Sequence, residues 1–312
     1  MKIGIVTDSC CDLPQSFLTK YNITILPITI KYGDKILIDS RDPKVIREFT
    51  KKMEEEDFNC ESIPFSKEQI KELFLEKLIL EFDYVICITV ASTRSLIYEN
   101  IKAASLSIIS EYKTIREANG INGIFNLRFI DSQQLFCGQA IIVAEVVRQL
   151  KKGVTPEYAM AVAKDLSQTA QTYLLPSSLT QMRSQARKKG DKSVGLMSYV
   201  LGSTFDIKPI VRAYQGETTP VAKIRGFEVG AEKLFNFASE QIKKGLKCPH
   251  VCISFGGDPE EIKKFKGFKN FLKTAAEHKI NIIMSEMSTT AIVNIGPGGL
   301  CIGFASDYLD DI

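Results

Sequence analysis

Short β-type apolar runs alternate with stretches of helical periodicity through the first half of the chain. Residues 3–7 (Ile-Gly-Ile-Val-Thr) form the first run, and Asp12 ahead of Leu13 and Pro14 reads as an N-cap with proline in the first helical turn. A β-branched run at 23–30 and a charged helical stretch at 43–55 follow. Ser66 with Gln69 three residues on gives a capping-box start for a helix reaching Leu80. A buried strand is predicted at 84–90, a long helix at 95–116, a strand at 127–130 and a helix at 136–151. This alternation predicts a mostly parallel sheet with helices on both faces.

The rhythm changes after Lys151-Lys152-Gly153. Thr155-Pro156 opens another helix, after which strands at 172–175, 207–214 and 220–224 come in closer succession, with a tight turn at Gln215-Gly216 that suits antiparallel pairing. Helices at 229–245 and 259–277 alternate with strands at 250–255 and 280–285. The pattern predicts an α/β fold of two domains: residues 1–153 as a mostly parallel α/β domain, and 154–312 as an α+β domain with an antiparallel sheet. No repeat or long linker separates the halves, so a cleft between them is the expected ligand site.

Composition narrows the function classes. With 45% hydrophobic and 25% charged residues the chain has the balance of an ordinary globular protein, and a net charge of +3 is too small for a surface that tracks phosphates, which sets nucleic acid aside. No apolar run reaches the ~18–20 residues of a spanning helix, and the apolar stretch before Asp8 is too short for a secretory signal. Eight scattered cysteines read as reduced thiols, so a cytoplasmic protein is expected.

Several segments carry candidate chemistry. Thr7-Asp8-Ser9 lies at the carboxyl end of the first strand, where open α/β folds place ligands, although turn and cap duty is the leading reading of these residue types. Ser62-Ile63-Pro64 and Ala91-Ser92-Thr93-Arg94-Ser95 each precede a helix, so both can aim hydroxyls and backbone N–H groups into one crevice. Residues 294–299 form a glycine-rich turn before a strand and lack the spacing of a phosphate loop. Cys248-Pro249-His250-Val251-Cys252 lacks a second pair of ligands, so no metal site is expected and no cofactor motif is present. Cys10 and Cys11, between the first strand and a helix, are the best nucleophile candidates. Arg183, Arg187, Lys188, Lys189 and Lys192 form a basic helix end, read first as a solvated face and second as a contact for an anion or an acidic partner.

The ordered set Val6-Thr7-Asp8-Ser9, Asp12-Leu13-Pro14, Ser62 with Pro64, Ser92 to Tyr98, Asp131-Ser132, Asp206-Ile207-Lys208-Pro209-Ile210, Lys223-Ile224-Arg225-Gly226 and Gly296-Pro297-Gly298 resembles the DegV family of bacterial lipid-binding proteins. Some members are the acyl-carrying subunits of fatty-acid kinases. The resemblance spans about residues 1–305 and implies an acyl chain held between the two domains, no catalytic residues of its own, and presentation of the lipid to a separate ATP-dependent fatty-acid kinase subunit where one exists. It places Ser62 and Ser92 at the lipid head group, with Glu61, Ser95 and Asn294 beside them, and Arg183 and Arg187 at the family's basic positions. The chain departs from the family pattern at Glu61 for threonine, Ser95-Leu96-Ile97-Tyr98 for Ser-Gly-Thr-Tyr, and Asn294 for histidine; Gln185 and Ala186 replace paired glycines. A buried Glu61 beside a fatty carboxylate would impose like-charge repulsion, which points to a neutral or modified head group or to Glu61 turned outward. The rival readings are a small-molecule enzyme using Cys10 or Cys11, and a scaffold that acts only through protein contacts.

Overall fold

The computed structural model describes residues 1–56, 60–178 and 206–312. Strand β1 (Ile3–Asp8) opens the chain, followed by a short helix α1 (Gln15–Lys20) and β2 (Ile23–Leu26). The N-cap of α1 is Pro14, which has no side chain to bond the first turn, so Asp12 is not the predicted cap; its carboxylate is used elsewhere. The apolar run at 23–30 is also not one strand. Pro27 has a fixed φ and no N–H, and it divides the run into β2 and β3 (Ile28–Tyr32), which belong to different sheets.

β3 lies at the centre of a three-stranded antiparallel sheet between β4 (Lys35–Asp39) and β5 (Cys60–Ile63), a layer absent from the sequence reading. Helix α2 (Pro43–Glu55) joins these strands, capped by Asp42 with proline in its first turn. Helix α3 (Lys67–Leu73) carries the predicted capping box, with Gln69 N–H donating to Ser66 Oγ at 3.2 Å and the Gln69 side chain closing back on the Ser66 N–H. It runs on through a π-turn (Phe74–Leu78) to Glu81. Strand β6 (Tyr84–Thr89) is buried along its whole length, as expected for a continuous apolar run inside a parallel sheet. The long helix expected at 95–116 is two helices, α4 (Ile97–Ile108) and α5 (Tyr112–Ala118), and β7 (Asn126–Asp131) follows. The first sheet is all parallel in the order β2-β1-β6-β7.

Helix α6 (Phe136–Lys151) has the predicted bounds and is buried continuously from Phe136 to Val147, an all-round apolar helix that needs cover on every side. It packs against α7 (Pro156–Thr169) and against the second sheet at β8 (Ala170–Leu175), β11 (His250–Phe255) and β13 (Leu300–Ala305). Contact there is close enough to require glycine: a Cβ on Gly303 would lie 2.5 Å from the Cys137 carbonyl carbon, and one on Gly138 would lie 2.2 Å from Thr172 Oγ1. On the same turn, Gln139 Nε2 donates to Thr7 Oγ1 (2.9 Å) and to the Ile88 carbonyl (3.2 Å) of the first sheet. One helix therefore serves both sheets.

The second sheet has the order β10-β9-β8-β13-β11-β12, with β9 (Ile207–Tyr214), β10 (Glu217–Arg225) and β12 (Asn281–Glu286). It is antiparallel, as expected, except for the parallel β11–β12 pair at one edge. Gln215 and Gly216 both take positive φ in the hairpin between β9 and β10, as a two-residue turn demands. The stretch from 259 is a 3-10 turn (Pro259–Lys264) followed by α9 (Phe268–Glu277), and α8 (Phe227–Lys244) lies beside it. Helix α10 (Thr289–Ile295) leaves this sheet and packs on β3, β5 and α2, so the glycine-rich turn begins at Gly296 and Asn294 lies in the last turn of a helix. Among the described residues no helix is long and apolar enough to cross a membrane.

Candidate functional site

The carboxyl ends of β1, β6 and β7 lie side by side, and their loops form the edge where an open parallel sheet receives ligands. Thr7, Asp8 and Ser9 are fully buried there and work as scaffold. Val90 N–H donates to Asp8 Oδ2 at 2.6 Å and Cys10 N–H to Asp8 Oδ1 at 3.0 Å, while Ser9 Oγ accepts from Ile28 N–H at 3.0 Å. Burial pushes the Asp8 carboxyl up to about 6 against the downward pull of the bonds from Val90, Gln139 and Cys10. Asp8 thus ties the ends of β1 and β6 together.

The loop after β6 holds the hydroxyl run. Ser92 is exposed, its Oγ donating to Asp131 Oδ2 at 2.5 Å and its N–H to Asp131 Oδ1 at 3.2 Å; Gln133 N–H donates to the same Oδ1 at 2.8 Å. Thr93 Oγ1 donates to the Gly216 carbonyl (2.6 Å), Arg94 Nη2 to Thr218 Oγ1 (2.9 Å), and Gly216 N–H to the Gln133 carbonyl (2.8 Å). These bonds fasten the loop to the β9–β10 hairpin of the other sheet. Ser95 Oγ accepts from Ile97 N–H at 3.3 Å, a local turn just ahead of α4, whose N-cap position is Leu96.

Ser62 is half-buried in β5 opposite Ile30, while Glu61 stands opposite Lys31 on the other face and is exposed. This alternation turns the Glu61 carboxylate to solvent, the second of the two arrangements expected for it, in which no like-charge conflict arises. Asn100 Nδ2 donates to the Phe65 carbonyl at 2.9 Å, so the segment after Ser62 lies along the helix that follows Ser92. Asn294 donates through Nδ2 to the Thr290 carbonyl at 2.6 Å on α10, which packs against β5. The structure therefore brings Ser62 and Asn294 to adjoining elements, gives Ser92 a carboxylate partner, and removes Glu61 from their face. Arg183, Arg187, Lys188, Lys189 and Lys192 lie outside the described residues.

A second polar cluster, not foreseen in the sequence, joins the two sheets. Asp12 is fully buried and accepts from Ser254 Oγ, from Ser288 N–H (2.9 Å) and from Arg41 Nη1 (3.5 Å). Arg41 Nη2 reaches the carbonyls of Leu13 and Glu286, each at 3.0 Å. Asp39 Oδ2 accepts from the N–H and Oγ1 of Thr290 at the start of α10 (3.2 and 3.3 Å). Burial pushes the Asp12 carboxyl up to about 7, with Arg41 opposing. Partners up to 276 residues apart in sequence leave no local signature, although Arg41, a non-glycine residue at φ 63°, marks an unusual turn.

The thiol reading fares poorly. All eight cysteines are buried. Burial and the adjacent Asp8 push the Cys11 thiol well above its ordinary range, the opposite of what a nucleophile needs. In the Cys248–Cys252 segment, His250 Nε2 lies 3.3 Å from Glu145 Oε2, and among the described residues no trio of His, Cys, Asp or Glu side chains is placed to hold a metal ion.

Comparison with known proteins places this geometry. A DegV domain-containing protein of Xanthomonas axonopodis is 41% identical over 308 residues, covering 98% of each chain. A crystal structure of a DegV lipid-binding protein from Thermotoga maritima superposes with a TM-score of 0.76 at 20% identity, covering 100% of both chains. The fatty acid kinase (Fak) B3 protein of Streptococcus pneumoniae loaded with linoleic acid gives a TM-score of 0.72 at 18% identity, covering 98% of this chain and 100% of that one. The family model described as an uncharacterised protein of the DegV family matches residues 2–307, and with that match the chain belongs to the DegV family.

Proposed function

We propose that this protein binds a long-chain fatty acid or a related acyl lipid between its two sheets and presents it to a separate ATP-dependent kinase subunit, without catalysing a reaction itself. The observation that carries this reading is the full-length match of family and fold to proteins whose names state lipid or fatty-acid loading. The local geometry supports it: the Ser92 loop at the parallel-sheet edge is bonded to the β9–β10 hairpin of the second sheet, and the segment after Ser62 lies along the helix that follows Ser92. Eight buried cysteines scattered along the chain suit a carrier of the reducing cytoplasm. The head group sits on the Ser62, Ser92 and Asn294 side, and the division of the chain falls near residue 153. Burying an acyl chain at about 0.8 kcal/mol per methylene supplies ample affinity, so polar groups need only orient its end.

The test is to denature the purified protein, extract it with organic solvent and identify co-purified lipid by mass spectrometry. One acyl species near one per chain is expected. No lipid, together with no uptake of added fatty acid, overturns the carrier reading.

A further inference from the structure

Helix α6 meets the second sheet over a patch of thiols. On the β11–β13 pair, Cys252 stands opposite Gly303 and Ser254 opposite Cys301, and residues directly opposite in an antiparallel pair point to the same side. The four positions therefore share one face, and α6 lies on it closely enough that a Cβ on Gly303 would be 2.5 Å from the Cys137 carbonyl carbon. Cys137 Sγ is 3.3 Å from Ser254 Oγ and 3.5 Å from the Cys301 carbonyl oxygen. It is within hydrogen-bonding reach of the thiols of Cys252 and Cys301 as well. All three cysteines are fully buried.

The register decides which of them can join. Cys252 and Cys301 are diagonal neighbours, roughly 7–8 Å apart between Cα atoms, which exceeds the span of a disulfide unless the backbone moves. Cys137 comes from another layer and stands over the pair, so a bridge must include it. It sits on Gly303, whose cross-strand neighbour Cys252 is roughly 5 Å away, while Cys301 is two residues along the strand, about 6–7 Å away. Cys252 is the nearer partner.

We infer that Cys137 and Cys252 form a dithiol that hydrogen peroxide converts to a disulfide, fastening α6 to the second sheet. The Cys137 sulfur attacks one peroxide oxygen; the O–O bond breaks, a sulfenic acid forms, and the thiol proton leaves with the other oxygen as water. The Cys252 sulfur then attacks the Cys137 sulfur. The S–S bond forms as the S–O bond breaks, and a second water carries off the Cys252 proton. Two thiols lose two electrons, and one peroxide is reduced to two waters. Burial selects the oxidant: hydrogen peroxide is little larger than water, whereas glutathione disulfide needs an exposed sulfur to attack.

The experiment treats the full-length protein near neutral pH with hydrogen peroxide or with glutathione disulfide, records the intact mass, then alkylates in denaturant and maps peptides at low pH. Hydrogen peroxide should remove about 2 Da and join the peptide holding Cys137 to the one holding Cys252. Glutathione disulfide should leave the native protein unchanged. Cys137→Ala and Cys252→Ala, each with a melting temperature to show folding, should both lose the bridge, and the wild-type peptide map decides the matter alone if a variant does not fold. An unchanged mass, a mass raised by added oxygen only, or a bridge that omits either residue overturns the inference, as does capture of these two thiols by glutathione in the native protein.

Discussion

Glu61 shows how much a single residue's direction matters. In the sequence it stands next to Ser62 and looks like a charged intruder at the head group; in β5 adjacent side chains face opposite ways, and Glu61 sits exposed across from Lys31. Glu61→Thr should therefore leave lipid selectivity unchanged when the affinities for a series of acyl lipids are compared with wild type. Ser92 was legible as a candidate because its position after a strand is a local property. Its partner Asp131 was legible only as part of an Asp-Ser pair, since nothing in the sequence states that the ends of β6 and β7 are neighbours. The Asp12–Arg41 contact was illegible for the same reason: Asp12 has a sound local reading as a cap, and a tertiary partner claims it.

At the scale of elements, hydrophobic periodicity located nearly every strand and helix, and its failures have identifiable causes. One apolar run became β2 and β3 because Pro27 interrupts pairing, and the small β4-β3-β5 sheet went unseen because its outer face carries isoleucines, Ile36 at 70% and Ile38 at 59% exposure, that blur the alternation. The junction of α6 and β13 depends on glycine for space, which no pattern of apolar residues reveals. Gly303→Ala would drive a methyl to within 2.5–2.7 Å of the backbone at Cys137 and Gly138. We expect a loss of about 2–3 kcal/mol, toward the upper end of overpacking costs because the obstacle is backbone, read as a lower denaturant midpoint with an unchanged slope.

For the whole molecule, buried carboxyls set opposing responses to acid. Asp8 and Asp12, pushed by burial from 3.8 to about 6 and about 7, contribute stability that is complete below pH ~4 and is lost as pH rises through those values. Glu145 acts in the other sense. Burial tends to raise it, but its bonds from His250, Arg148 and Gln149 prevail and hold it near 2 against an ordinary 4.5, so its contribution is complete above about 4.5 and is lost as pH falls toward 2. The melting temperature should therefore peak near about pH 4, where the Asp8 and Asp12 contributions are still largely present and that of Glu145 is largely restored. Glu145→Gln should flatten the acid limb of that curve and lower stability at pH 7 by up to about 3 kcal/mol. A curve that rises steadily from pH 5 to 8 would contradict the assignment of Asp8 and Asp12.

Helix α6 also limits how the molecule can open. Its Gln139 grips the first sheet while Cys137 and Gly138 lie against the second, and Phe136 to Val147 are buried throughout. Swinging the sheets apart about this helix would wet a run that includes Ile141, Ile142, Val143 and Val146. Even partial exposure of those four side chains would cost on the order of 6 kcal/mol, leaving a hinge-open form at well under a thousandth of the population. An acyl lipid of the proposed kind would then enter and leave by displacement of a segment at the rim, so exchange kinetics should respond to substitutions in loops and stay indifferent to those that stiffen the central wall.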